Sequence, residues 1–434
     1  MTDHPRTSEI PLPITGTIPI MREWVEDAPP SPPPSRRWWI GMVAAGGILT
    51  AMTFPGQTAG LSPFTDPLID ALDINRTDIS FSYLIATLLG ATVMPFLGRV
   101  LDKYGARKAI IWIGAILALV LLAASFITEV IGLTVSYVGL RMVGQGALTL
   151  AATTLVARAV THRSGFALGI VGAVGSAGIS LAPVGIERLI AWTDIATVWR
   201  IEAVMVLAIV VPLALFLPHD GPARTLTGTL IIPEREPGYR VSQALRTGMF
   251  WVIGGAGFTI GMLATGIAFH LISILGAQGL SSAQAAANFI PQTVTALIAT
   301  LGLGAIVDRI DPRWGIASSM LLLSGALIYL PFVNSQASGV AFGLVLGASM
   351  GALRGVEAAA FVRYYGRGHI GAIRGVATAL GLAATALGPL YFALGLAWTG
   401  SYVMPSAFAA ILPALVAIAA SFVKPPRKIS ALRA

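Results

Sequence analysis

The sequence predicts an all-α membrane protein, with 12 transmembrane helices in two six-helix, pseudo-symmetric bundles. Three observations carry this. Apolar residues make up 55% of the 434-residue chain and Asp, Glu, Lys and Arg only 11%, against roughly 25% charged in an ordinary soluble domain. So few charges cannot wet the surface of a soluble protein. The apolar sequence also falls into about twelve stretches of roughly 20 residues or more, the length that spans a hydrocarbon core of about 30 Å. Finally, the two halves repeat. Adding 206 to Gly98, Asp102, Lys103 and Arg107 gives Gly304, Asp308, Arg309 and Arg313, and the same shift takes Gly169 and Pro183 to Gly375 and Pro389. One offset recurring in two separate regions marks parallel structural repeats.

In chain order, residues 1–37 are polar and include the run Pro29-Pro30-Ser31-Pro32-Pro33-Pro34, which predicts a disordered cytoplasmic tail. Arg36-Arg37-Trp38-Trp39 reads as a basic and aromatic anchor at the inner interface. Spans are expected near 38–62, 79–98, 109–127, 131–156, 165–187, 199–217, 249–275, 283–307, 315–333, 338–362, 370–397 and 402–423. They are read as helices because backbone polar groups in lipid must be satisfied within the segment. The organisation is then an N-terminal bundle over 38–217, a proline-bearing cytoplasmic linker over 218–248, a C-terminal bundle over 249–423 and a short cytoplasmic tail over 424–434.

Charge placement orients the chain. Of the 28 Lys and Arg residues, Arg76, Arg188 and Arg200 fall on one face, Arg141 and Arg354 lie inside helices, and all the others fall on the opposite face. This is the positive-inside asymmetry, so both termini are expected in the cytoplasm and the chain in the plasma (inner) membrane. The net charge of +8 is thereby used up in orientation and calls for no nucleic-acid partner. With Cys at 0 there is no thiol catalyst, thiolate metal site or disulfide. None of the four lysines follows glycine, so the chain has no Gly-Lys-Ser/Thr phosphate loop. A cofactor-independent secondary transporter, working as a monomer in the bilayer on a small-molecule solute, is what remains; an enzyme is not expected.

Particular motifs point further. The stretch Gly98–Lys108 (GRVLDKYGARK) resembles the loop signature between helices 2 and 3 of the major facilitator superfamily, and Gly304–Arg313 (GAIVDRIDPR) is similar to its copy between helices 8 and 9. Leu140-Arg141 followed by Gln145-Gly146 resembles the helix 4 signature. The approaches to helices 5, 7 and 11 (Arg163–Gly169, Ala244–Trp251 and Arg363–Gly375) look like the bacterial monocarboxylate-transporter-like and oxalate/formate-antiporter-like branch. The resemblance implies the two-bundle fold, alternating access, and a latch built on Gly98, Asp102, Arg107, Gly304, Asp308, Arg309 and Arg313.

Ionisable groups inside a membrane cost about 2.5–3.5 kcal/mol each on insertion scales, so they are candidates for function. Arg141 is expected about 15 Å into helix 4 and begins a four-residue series with Gln145, Thr149 and Thr153 on one face. It can bind a substrate carboxylate or tie helix 4 to backbone carbonyls. Arg354 and Glu357 share a face of helix 10 and can pair. Glu357 is read as the only carboxylate within a span, hence as the proton carrier, with a static ion pair as the alternative. His270 can titrate near neutrality or be structural. Uncharged polar series on helix 8 (Gln284, Asn288, Gln292, Thr295, beside Pro291) and helix 1 (Thr50, Thr53, Gln57, beside Pro55-Gly56) are expected to face inward. The expected solute-binding set is Gln57, Tyr83, Arg141, Gln145, His270, Asn288, Gln292 and Arg354. The function that follows is proton-coupled transport of a small organic anion. Efflux of lipophilic compounds and a non-transporting sensor or scaffold are the alternatives.

Overall fold

The computed structural model describes residues 36–160, 164–217, 238–307, 309–366 and 369–426. It divides into two units, 1–40 and 41–434. Of the first, only the opening turn of a helix is described. The tail expected over 1–37 thus lies outside the described residues apart from Arg36 and Arg37, which are already helical. Asp308, most of the linker and residues 427–434 lie outside them too.

The described chain is helical throughout, with one isolated bridge between Gly238 and Gly366. Twelve spans can be followed among the described residues. Span 1 is a helix over Arg36–Ala51 that breaks into short turns (Phe54–Gly56, Thr58–Leu61, Ser62–Phe64) and resumes over Thr65–Leu72. Spans 2 to 6 are Arg76–Tyr104, Ala106–Ala124, Val130–Ala159, Ser164–Trp192 and Ile195–Phe216. Spans 7 to 12 are Gly248–Gly276, Ser282–Ile306, Pro312–Phe332, Gln336–Tyr365, Ile370–Thr399 and Val403–Phe422. Eleven of these are long and apolar enough to cross a membrane. Span 2 equals them in length, at 29 residues, but carries charge at both ends.

Two departures from the expected helices have clear causes. Span 1 was expected over 38–62, locally opened beside Pro55-Gly56. Pro55 and Pro63 lack the N–H that a continuing ladder needs, so each opens a short 3₁₀ turn instead. Span 6 starts at Ile195 rather than 199 because Asp194 caps it, accepting from the Thr197 N–H at 2.9 Å and its hydroxyl at 2.7 Å. Those two bonds also hold the Asp194 carboxyl below its usual pKa.

Spans 1–6 and spans 7–12 pack mainly within their own sets, and the sets meet through spans 1, 2 and 5 on one side and 7, 8 and 11 on the other. Small residues set the closest approaches. On span 10, Gly343, Gly347, Gly351 and Gly355 recur every four residues and all lie against span 8. A Cβ at any of the four would come within 3.0 Å of a span 8 atom: Asn288, then the carbonyls of Gln292, Ala296 and Thr300. That is helix packing by small residues, which does not depend on a hydrophobic driving force in lipid. Gly347→Ala is therefore expected to lower thermal stability by about 1–3 kcal/mol through overpacking. Gly302→Ala, whose Cβ would meet nothing within 4 Å, should leave the unfolding midpoint of the purified protein in place.

The face bearing the turns at Gly105, 309–311 and His369 is called the basic face below, and the opposite one the far face. Odd-numbered spans run from the basic face to the far face and even-numbered spans return.

Candidate functional site

A cavity of about 610 Å³ lies between the two sets of spans. Its wall takes residues from spans 1 (Gln57, Thr58, Ala59), 4 (Gln145), 5 (Gly169 to Ser180), 7 (Ile260 to Ala268), 8 (Phe289 to Thr300), 10 (Met350, Arg354) and 11 (Thr385). Among the described residues, Arg354 is the only charged side chain in that wall. Its guanidinium is exposed, and among the described residues no hydrogen bond or ion pair engages it.

The expected pair of Arg354 with Glu357 is not made. Three residues along a helix turn the side chain by about 60° short of a full circle, and that offset separates the two here. Arg354 enters the cavity. Glu357 turns toward span 7, where its Oε1 lies 4.0 Å from where a Cβ on Gly257 would stand, and the basic group acting on it is Arg374 of span 11.

Of the eight residues expected to bind solute, Gln57, Gln145, Gln292 and Arg354 line the cavity. The other four stand behind its wall. Arg141 is 3% exposed. It donates from Nε to the Thr87 hydroxyl at 3.1 Å, and from Nη1 to the Gly56 carbonyl at 3.3 Å and the Thr58 hydroxyl at 3.4 Å. Its guanidinium lies 4.6 Å from the ring centroid of Tyr83, whose hydroxyl bonds Thr58 at 2.6 Å. So Arg141 clamps the broken part of span 1 to spans 2 and 4. Asn288 donates to the Gly339 carbonyl of span 10.

A feature of span 4 that the sequence did not disclose explains why Arg141 and Gln145 part company. Residues Leu140–Leu148 form a π-helix, whose i→i+5 bonding changes the rotation between residues four apart from slightly more than a full turn to slightly less than one. Arg141 turns into its bundle while Gln145 reaches the cavity. The expected single stripe from Arg141 to Thr153 is split. The adjacent Gly56 allows this fit, because a Cβ there would collide with the backbone at Leu140 and Gln145. On span 8 the expected stripe also begins later. Gln284 is spent on a capping box with Ser281 at the helix start.

The far end of the cavity is sealed by contacts between the two sets of spans. Arg76 donates to Asp66 at 2.5 Å and to the Ser273 hydroxyl at 2.7 Å, and Ser273 bonds both oxygens of Asp66 at 2.7 Å. Ser62 donates to the Phe269 carbonyl at 3.2 Å. His270, fully buried, donates from Nε2 to the Pro389 carbonyl of span 11 at 3.0 Å and lies 3.4 Å from the Ser80 hydroxyl of span 2. It is therefore part of the seal. Deeper in, Ser180 of span 5 bonds Thr293 of span 8. Among the described residues, no hydrogen bond joins the two sets closer to the basic face than this one.

Because the ion pair of Asp66 and Arg76 is partly exposed, its loss should cost only about 1 kcal/mol. That is enough to raise the fraction of far-side-open molecules roughly fivefold. The chain has no native cysteine, so Ser62→Cys offers one buried reporter. In an Asp66→Asn background it should react several times faster with a charged thiol reagent applied to the far face. An unchanged rate would remove this network from the seal.

The repeat is visible in the wall. Pro183 and Pro389 sit inside spans 5 and 11. Each lacks the N–H that would bond the carbonyl four residues earlier. Those carbonyls belong to Ile179 and Thr385, again 206 apart, and both residues line the cavity.

The latch motif divides. Gly98 and Asp102 lie in the last turns of span 2, and Arg107 opens span 3 after a left-handed Gly105. Gly304 packs toward span 10, with Gly355 of that span close against it. Arg309 is exposed. Arg313 lies 3.6 Å from Asp311 and stacks on Trp314 at 5.0 Å. Asp311, which the sequence reading passed over, is the organising acid here. It caps span 9 and accepts from the Tyr364 hydroxyl of span 10, while Arg363 donates to the Ile310 carbonyl at 2.6 Å. These contacts join neighbours within spans 7–12.

Glu357 is also not the only carboxylate in a span. Glu202 of span 6 is 2% exposed, and neither of its oxygens has a partner. Its register gives it away: it follows Trp199, stacked on Phe64 at 3.9 Å, by one helical turn on the same buried face.

A bundle of membrane-length helices in two sets, closed at one end over a polar central cavity, defines a transmembrane solute carrier. The family model of the Major Facilitator Superfamily matches residues 46–389, and the chain belongs to that superfamily. Among solved structures it is similar to a bacterial homologue of the human lysosomal transporter Spinster in an inward-facing and occupied conformation, with a TM-score of 0.65 and 15% identity over 90% of this chain and 97% of that one. It is also similar to the nucleoside transporter NupG, with a TM-score of 0.71 and 14% identity over 88% of this chain and 98% of that one. At such identities the likeness is one of fold. No curated protein matches the chain in sequence.

Proposed function

We propose that this transporter carries a small organic anion, most simply a carboxylate, by rocking its two six-helix halves about the central cavity. The observation that carries this reading is the unpaired Arg354 in a wall that is otherwise uncharged. A guanidinium open to the cavity and paired with no acid among the described residues favours a planar anion that it can grip through two parallel hydrogen bonds. The far side is shut by the network around Asp66, Arg76 and Ser273, and the wall reaches Gly169 and Arg354 toward the basic face. With the positive-inside rule placing that face in the cytoplasm of a cell whose plasma membrane holds the chain, this is an inward-facing state.

Proton coupling belongs to the same reading, with Glu357 as the carrier. It lies one turn from Arg354 on span 10 and faces the charge of Arg374 on span 11. The resemblance of spans 5, 7 and 11 to the monocarboxylate-transporter-like branch agrees in solute class. The loop residues Gly98, Asp102 and Arg107, with Gly304, Arg309 and Arg313, serve as hinges and latches of the rocking motion.

The test is direct binding of acetate, lactate, pyruvate, oxalate and aromatic acids to the purified protein by calorimetry, beside amines and neutral sugars of similar size. At least one acid should bind while the amines and sugars do not. Binding confined to cations or neutral solutes would overturn the proposal.

A further inference from the structure

The cavity also constrains the other end of the solute, and this inference rests on the reading of Arg354 as its anion site. Two side-chain amides in the wall have orientations fixed by their surroundings. The hydroxyl of Thr53 donates to the Thr50 carbonyl at 2.7 Å, so toward Gln57 it has only lone pairs to offer. The bond between them, at 3.0 Å, must therefore come from the Gln57 Nε2. On the opposite side of the cavity Asn288 meets the carbonyl of Gly339, which only accepts, so its NH₂ points there and its Oδ1 faces Gln292. The Gln292 Nε2 must then donate to it, at 2.9 Å. Each chain of bonds ends at a backbone carbonyl, and neither amide can flip without setting donor against donor or acceptor against acceptor. Each glutamine thus has one of its two amide N–H groups engaged, and among the described residues no donor meets either Oε1.

These two acceptors lie at one depth. Span 5 packs on span 1 through Gly175 and Gly178 against Thr50 and Ala51, and Ser180 bonds Thr293 of span 8, beside Gln292. Arg354 stands at another depth. Gly347 lies against Gln292 and Gly355 against Thr300, so the backbone at Arg354 is about 10 Å closer to the basic face than the amides. Helical side chains lean toward the helix N-terminus, which here means toward the amides, leaving about 5–10 Å between cation and acceptors. Ile260, Ala264, Ala296, Leu297 and Met350 supply apolar surface to the wall, which Ser176, Thr293 and Thr300 interrupt.

We propose that the solute is a monocarboxylate with an apolar body and a hydrogen-bond donor, a hydroxyl or N–H, at the end remote from the carboxylate. The carboxylate sits on Arg354, the body against the wall between, and the donor on the Oε1 of Gln57 or of Gln292. A two-carbon or three-carbon acid reaches only one end. A dianion brings a second charge to the acceptor end, where two carbonyl oxygens repel it.

Three probes on one six-carbon acid chain separate these terms: hexanoate, 6-hydroxyhexanoate and 6-methoxyhexanoate, titrated calorimetrically into the purified full chain in nanodiscs. A site built to receive a donor rejects analogues without one. The hydroxy acid should bind at least tenfold tighter than either analogue. Either Gln292→Met or Gln57→Met should erase that preference, whichever amide receives the donor, and its survival in both variants would overturn the donor end. Arg354→Gln should weaken all three acids together. Equal affinity of the hydroxy and methoxy acids for the unmodified protein, with Arg354 still required, would overturn the donor end and leave the anion reading standing. Failure of every acid to bind would overturn both.

Discussion

Arg354→Gln is expected to lower the affinity for a transported carboxylate at least a hundredfold while leaving the protein folded. Charge-assisted hydrogen bonds contribute about 1.5–3 kcal/mol each, and a bidentate grip makes two. The fold should not suffer, because no protein group depends on this side chain among the described residues; glutamine also removes a charge that is costly to hold in a membrane. Arg354→Lys should recover only part of the binding, since an ammonium offers a point charge in place of a planar fork. Calorimetric titration of the variants, with thermal unfolding measured alongside, checks both halves of this expectation. A wild-type affinity in Arg354→Gln would remove the residue from the site.

The opposite pattern is expected at Arg141. Replacing it with leucine leaves the Gly56 carbonyl and the hydroxyls of Thr58 and Thr87 without their donor. It also uncovers the Tyr83 ring. A buried acceptor left unsatisfied costs about 1–3 kcal/mol, and this change strands several, so the unfolding midpoint should fall sharply and yield with it. Lysine should not rescue, because a point-like ammonium cannot reproduce the planar fork that reaches acceptors on both span 1 and span 2. What folded protein remains should bind the solute with little change. Normal stability with lost binding would return Arg141 to the cavity.

These two arginines show what the sequence could and could not convey. Their cost in lipid marked both as special before any coordinates were considered. Their different uses depend on rotation about a helix axis. Span 4 contains a π stretch, and no local propensity signal distinguishes Leu140–Leu148 from ordinary helix, so a four-residue spacing put Arg141 and Gln145 on one line. The architecture was far more legible, because helix length, apolar content, charge placement and a 206-residue repeat are additive properties of long segments. The break in span 1 was announced by Pro55-Gly56, although the turns that follow it to Leu72 were not.

The polar residues followed the same division. Glutamines at 57, 145 and 292 reach the cavity as their helical spacing implied. His270, Tyr83 and Asn288 did not, since each finds a partner on another span: Pro389, Thr58 and Gly339. Partners more than 20 residues away are invisible to periodicity. Asp311 escaped notice for a related reason. The repeat directs attention to Asp308, while the cap of span 9 and the Tyr364 hydroxyl select the acid three residues later.

The central claim is that an anion crosses the membrane through the cavity at Arg354. Proteoliposomes holding the purified chain, loaded with an unlabelled carboxylate and given a trace of the same labelled acid outside, measure that crossing by counterflow. Labelled acid should accumulate transiently inside, faster when the outside is made acid, and Arg354→Gln vesicles should match empty ones. Accumulation that persists undiminished in Arg354→Gln, or exchange of uncharged and cationic solutes in place of every acid tried, would contradict it.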